Sequence, residues 1–208
     1  MKPSPLTGES ALPVTVEVNG GAFPIRHDFR AGIEFEQVVT DPSIPEGTRV
    51  VLALDCWYGQ SWPDCDIREL VEATMAFYRC GKPEKAGSGK RLYDFTHDWD
   101  MIYSAFLHAY NLDLLSVEYL HWWRFRAMLA DLPEGSQFVR AVGYRGASPV
   151  KGMSDEQKRH LAEMKRLYAI PAPEDEQGYG TEADFREWLE EQKAVAAVAA
   201  DRMSSGGQ

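Results

Sequence analysis

The pattern of apolar and polar positions predicts a chain that is mainly helical. Its clearest helical period lies in residues 93–145, which are also the stretch densest in aromatic side chains. Apolar residues recur there at helical spacing over roughly 96–110, which predicts an amphipathic helix. A second helix is predicted over 116–131, with Ser116 as its N-cap, and a short third helix follows with Ser136 as its cap. The second helix is apolar on nearly every side, so we expect it to be the buried central helix.

A β-hairpin is predicted near the N-terminus. Residues 14–18 alternate apolar and polar side chains, and Asn19 and Gly20 then form a strong signal for a tight turn. Pro24, in the following run 22–26, lacks a backbone donor and therefore places that strand at a sheet edge. Two strands alone are only marginally stable, so we expect the hairpin to pack on helices.

Three more helices are predicted between the hairpin and the aromatic stretch. Asp28 can cap a helix that ends near residue 39, and Asp66 can cap one that includes Tyr78. The apolar run 48–58 is compatible with a buried helix or a strand, and the surrounding helices favour a helix. The Gly-rich basic loop at 81–92 lacks the Walker phosphate-binding pattern. We interpret it as a surface loop, with docking of an acidic partner as the alternative.

The C-terminal part has the signals of two further helices. Ser154 opens a capping box, and a last helix carries Phe185 and Trp188 among many acidic residues. The predicted fold class is mainly α, with an N-terminal β-hairpin packed on a helical bundle and a C-terminal helical arm. The predicted divisions are a flexible N-terminal arm at 1–12, a domain at 13–145, C-terminal helices that form an acidic arm at 153–202, and a disordered tail at 203–208.

The charge balance narrows the classes of partner. The chain has 22 basic and 32 acidic residues, a formal net charge of -10, so we expect no nucleic-acid partner. It contains no run of about 18 apolar residues, so we expect no membrane span, and its N-terminus lacks the apolar centre of a signal peptide. The three cysteines show no CxxC spacing and are expected to be reduced thiols in a cytosol.

His97 is the first candidate for chemistry. It lies close in sequence to Asp94, Asp98 and Asp100, which suggests a site for a hard metal ion. The same acids also suit the positive end of a helix, and we favour that simpler interpretation.

His121 is the second candidate. It shares a strip of the predicted helix with Glu118 and Arg124, which is compatible with a general base oriented by a carboxylate. A partly buried structural hydrogen bond is the interpretation we favour. The chain also lacks the common hydrolase, zinc-protease and dinucleotide-binding motifs. We therefore expect no enzyme activity, no catalytic residue, no metal and no cofactor.

The adjacent pair Trp122 and Trp123 allows two interpretations. Neighbouring residues on a helix point about 100° apart, so the two rings cannot face the same neighbour. Either both belong to the core, which we favour, or Trp122 lies at an exposed groove as an anchor for a partner. Trp188, on the acidic arm, either docks on its own domain or is presented to a partner. The residues predicted to bind a partner are Tyr119, His121, Trp122, Arg124, Phe185 and Trp188.

The aromatic stretch also carries a specific motif, the run Leu120 to Trp123 (LHWW) within a longer frame. With this frame, the chain resembles the bacteriophage gene-product-fifteen family of tailed phages over roughly residues 12–145. The motif residues within the stretch are Asp94, Phe95, Asp98, Ile102, Tyr103, Ala105, Phe106, Tyr110, Asp113, Leu114, Phe125, Ala127, Leu129, Leu132, Pro133 and Glu134. Upstream matches are Pro24, Ile25, Asp28, Phe29, Arg30, Phe35, Glu36 and the run 77–81.

This resemblance implies a role in phage tail morphogenesis, because members are encoded near the major tail protein and the tape-measure protein. It implies most directly a tail assembly chaperone in the host cell cytoplasm that binds the tape-measure protein and gives way to the major tail protein. The alternative is a structural or connector subunit that stays in the virion tail. Self-association is left open.

Overall fold

The computed structural model describes residues 12–59, 61–83 and 90–171, and these form seven helices and one two-stranded antiparallel sheet. The predicted fold class, mainly α with an N-terminal hairpin, is confirmed. The elements are β1 (Thr15–Val18), β2 (Gly21–Pro24), α1 (Phe29–Thr40), α2 (Glu46–Tyr58), α3 (Ile67–Tyr78), α4 (Trp99–Tyr110), α5 (Trp122–Ala130), α6 (Gln137–Gly146) and α7 (Asp155–Leu167). No helix in these ranges is long and apolar enough to cross a membrane.

The hairpin forms where the alternation and the turn signal predict it. Asn19 and Gly20 both have positive φ, as a tight turn between right-twisted strands requires, and Val16 pairs with Phe23. The alternating pattern buries Val16 and Val18, and β1 packs against α3. The hairpin therefore packs against the helices, as expected because two strands alone are only marginally stable.

Local capping signals set the start of several helices. The side chains of Asp28, Asp66 and Ser136 each accept hydrogen bonds from backbone N–H groups of the helix that follows. Ser154 and Gln157 form a complete capping box at the start of α7. The run predicted at 48–58 is helical, within α2.

The predicted central helix is shorter than expected, because α5 begins at Trp122 rather than Ser116. The preceding residues pair with another part of the chain: Phe29 N–H donates to the Leu120 carbonyl at 2.8 Å, and Trp122 N–H donates to the His27 carbonyl at 2.7 Å. These long-range bonds hold the segment before Trp122 in an extended path. The short α5 is still central, since it packs against both α1 and α4.

The core is an aromatic stack built around α5. The rings of Trp57, Tyr78 and Phe125 surround Trp122, with centroids 5.6 to 6.2 Å from its own. The helix α1 passes close to the same ring at Gly32, which is buried and has no side chain to obstruct the approach. The predicted last helix, with Phe185 and Trp188, lies outside the described residues.

Candidate functional site

The structure separates the predicted partner-binding residues into exposed and buried ones. Tyr119 and Arg124 are exposed, whereas His121 and Trp122 are buried. Phe185 and Trp188 lie outside the described residues. Only the exposed pair therefore offers side-chain surface to a partner among the described members of the set.

His121 is the N-cap of α5, which corrects its predicted position on a helix strip. Its Nδ1 accepts a hydrogen bond from Trp123 N–H at 3.0 Å, so Nε2 carries the proton and donates to the Pro13 carbonyl at 2.9 Å. Burial lowers the pKa of His121 below its ordinary value of 6.5, with His27, stacked on its ring, and Arg124 acting in the same direction. The neutral imidazole thus joins the segment at Pro13 to the start of α5.

His27 extends this junction to the surface. Its Nδ1 lies 2.7 Å from the hydroxyl of Tyr119, which is half-exposed. The loop before α5, the start of α1 and the segment entering β1 therefore meet at two stacked imidazoles. This arrangement orders the surface around Tyr119.

Trp122 is part of the core, so the interpretation of this ring as an exposed anchor is wrong. Its side chain has 0% exposed surface, and its Nε1 donates to the Tyr78 carbonyl at 2.9 Å. Trp123 Nε1 donates to the Phe77 carbonyl, so both indoles bond to neighbouring carbonyls at the end of α3, contrary to the expectation that the two rings face different neighbours. Trp123 is half-buried.

An apolar groove between α5 and α6 was not predicted from the sequence. Its volume is about 280 Å³, enough for one or two large side chains. It is lined by Tyr93, Arg126, Leu129, Ala130, Phe138, Val139 and Val142. The lining comes from three separate parts of the chain, so no local motif could reveal it.

Arg126 places one fixed positive charge in the lining of this groove. Its guanidinium lies 5.3 Å from the Trp122 ring centroid, and its Nη1 donates to the Tyr93 hydroxyl at 2.8 Å and lies 3.5 Å from Glu36 Oε2. Burial, together with the Glu36 carboxylate, raises the pKa of Tyr93 to about 12. Tyr93 is thus a neutral hydrogen-bonding group at neutral pH, and the groove presents an apolar surface beside the Arg126–Glu36 ion pair.

Asp98 and Arg145 form a buried ion pair that joins the start of α4 to the end of α6. Nη1 and Nη2 of Arg145 donate to the two carboxylate oxygens of Asp98 at 2.5 and 2.7 Å. The same guanidinium donates to the carbonyls of Leu92 and Tyr168. We call these four residues the Arg145 clamp. The sequence suggested the dipole of α4 as the partner of Asp98, but its direct partner is Arg145.

The other acids near His97 also face separate partners. The Asp94 carboxylate accepts from His97 N–H and pairs with Arg91, while Asp100 is exposed. Within the ranges that the structure describes, no group of three or more His, Cys, Asp or Glu side chains is arranged to hold a metal ion. The described part of this cluster is therefore arranged as helix-start and ion-pair contacts.

Comparison with known proteins gives one match. The family model described as "Bacteriophage Gp15 protein" matches residues 9–170, which include every helix and strand described above. Comparisons with curated proteins and with solved structures give no match.

Proposed function

Because the chain belongs to the bacteriophage Gp15 protein family, and is thus a phage structural or morphogenesis protein, we propose that it is a tail assembly chaperone without enzyme activity. Its client would be the tape-measure protein, which the chain binds in the host cytoplasm and then releases to the major tail protein. A long helical client exposes apolar stripes before tail subunits cover it. A protein that covers these stripes keeps the client from aggregating.

The observation that carries this proposal is the groove between α5 and α6. Amphipathic helices are commonly recognised by apolar grooves that accept side chains spaced three or four residues apart. Leu129, Val139 and Val142 supply apolar lining, and the Arg126 guanidinium, whose Nη1 is paired with Glu36, can use its other N–H groups to select an acidic side chain beside the apolar stripe. A groove of about 280 Å³ accepts only one or two large side chains, so each contact is weak. Weak contacts at many places along the client suit a chaperone that must later be displaced.

Co-expression with the tape-measure protein of the same phage tests the proposal. We expect soluble client and co-purification of the two chains. Val142→Asp, in the groove, should reduce co-purification at least tenfold, while Val50→Asp is a matched control at an exposed valine of α2 outside the groove. Thermal unfolding of both variants verifies that they fold. A client that stays insoluble would argue against this function. So would an equal loss of co-purification in the Val142→Asp and Val50→Asp variants.

The role of a structural or connector subunit in the tail makes the opposite prediction for the finished particle. A chaperone should be absent from purified virions, whereas a connector should be present at a fixed copy number. Quantitative mass spectrometry of virions separates the two roles. Stoichiometric recovery of this chain would support the connector.

A further inference from the structure

The Arg145 clamp ties Tyr168, near the end of the described chain, to the segment that enters the groove between α5 and α6. The Arg145 guanidinium donates to the Tyr168 carbonyl and also to the Leu92 carbonyl, so these two backbone positions are held together. Tyr93, the next residue after Leu92, lines the groove. Tyr168 is therefore tied to the segment that carries Tyr93, and the described chain then ends at Ile170 and Pro171, beside Arg91 and Asp94.

The remaining chain is long enough to reach the groove. Phe185 lies 17 residues after Tyr168 in the sequence, and Trp188 lies 20 residues after it. Such a length spans roughly 55 Å when extended and about 25 Å as a helix. A domain of this size has a radius of gyration of about 15 Å. The tether thus permits docking within one molecule, at a high effective concentration.

The chemistry of this segment complements the groove. Residues 182–191 combine three large apolar side chains, Phe185, Trp188 and Leu189, with five acidic residues and one basic residue. The groove combines an apolar lining with the Arg126 guanidinium. The hydrogen bonds of Arg126 within the described chain all come from Nη1, so Nη2 and Nε are available to a carboxylate.

We propose that residues 182–191 dock into the groove between α5 and α6 of the same molecule. Phe185 and Trp188 fill the apolar part, and an acidic neighbour pairs with Arg126. The spacing of three between the two aromatic residues suits side chains on one face of a helical turn. This docking stands independently of the chaperone proposal. Its further consequence, that the segment competes with the client, depends on the proposed function.

Methyl NMR of the full-length chain tests the docking without any client. The ring current of Trp188 should shift the methyl signals of Leu129, Val139 and Val142. Full-length Phe185→Ala/Trp188→Ala should therefore change these three signals and leave the methyls of Val16 unchanged. Val195→Ala/Val198→Ala is the matched control in the same terminal part of the chain, and we expect it to leave the groove signals in place.

Two results would overturn the proposal. Groove methyls that are the same in the full-length chain and in the aromatic double variant show that the segment does not occupy the groove. Shift changes that grow with protein concentration show that the segment binds a second molecule instead. If the NMR result is positive but no client binds, the chaperone proposal fails and the docking stands. If both hold, the aromatic double variant should bind the client more tightly than the natural chain.

Discussion

Gly32→Ala tests how tightly α1 approaches the aromatic stack. A Cβ at this position would lie 2.2 Å from Cε3 of Trp122 and 2.4 Å from its Cδ2. Ordinary carbon contacts are about 3.5 Å or longer, so either the ring or the helix must move. The ring is held by its hydrogen bond to the Tyr78 carbonyl and by neighbours on several sides. We therefore expect the substitution to destabilise the protein.

The expected magnitude is the difference between two opposing effects. Alanine in place of glycine favours a helix by about 1 kcal/mol. Overpacking a close-packed core typically costs about 1–3 kcal/mol, and a rigid indole at this distance belongs at the upper end of that range. The net loss in free energy of unfolding is thus about 2 kcal/mol. For a protein of this size, that corresponds to a fall in Tm of roughly 4–8 °C.

Gly143→Ala provides the matched control. Gly143 is also a helical glycine, on α6, but nothing lies within 4 Å of the Cβ position there. The same substitution should therefore raise stability by up to about 1 kcal/mol. Urea unfolding of both variants measures the two changes with one assay. A Gly32→Ala variant as stable as the natural chain would show that the stack around Trp122 yields easily, and the reasoning would be refuted.

Three further predictions concern buried polar groups. Arg145→Met should lower the free energy of unfolding by roughly 3–5 kcal/mol, because it leaves the Asp98 carboxylate buried and unpaired. The double variant that also carries Asp98→Leu should recover part of this loss. If urea unfolding shows that the two substitutions have additive effects, the coupling is contradicted. His121→Asn should flatten the loss of stability between pH 7 and 5. Because the pKa of His121 is lowered in the folded state, the unfolded chain binds this proton more tightly. The contribution of the neutral imidazole to the free energy of unfolding is therefore full above pH 6.5 and falls as the pH decreases. If the variant loses stability with pH as steeply as the natural chain, the prediction is contradicted. Burial raises the pKa of the Cys56 thiol to about 11, so its alkylation rate should rise about tenfold per pH unit from pH 8 to 10, and a plateau by pH 9 would contradict this.

Much of the fold could be predicted because its signals are local. The turn at Asn19 and Gly20, and the caps at Asp28, Asp66 and Ser154, each act through backbone groups a few residues away. The start of α5 could not be predicted in the same way. Ser116 carries a local cap signal, but the backbone bonds to His27 and Phe29, roughly ninety residues away, decide the path before Trp122.

The groove and the Arg145 clamp are invisible to sequence patterns for the same reason. From the sequence, the Asp98 carboxylate was expected to interact with the dipole of its own helix. Its actual partner, Arg145, lies in a different helix 47 residues later. Likewise, Tyr93, Leu129 and Val142 share a groove only after three segments pack together. Sequence reasoning placed Asp98 near the start of a helix, and only the tertiary structure showed that it pairs with Arg145 and that the groove exists.

The Arg145 clamp also constrains the order of events while the chain is being synthesised. Asp98 leaves the ribosome 47 residues before Arg145, an interval of roughly 2–9 s at ordinary rates of synthesis. During that interval its carboxylate stays in water, because burying an unpaired charge is strongly unfavourable. The start of α4 therefore cannot reach its final depth until α6 has emerged. The hydrogen bond from Arg145 Nε to the Tyr168 carbonyl forms last, because Tyr168 is synthesised 23 residues after Arg145. We therefore expect Asp98 to become buried only after the chain through α6 has been synthesised, and the clamp to be complete only after Tyr168.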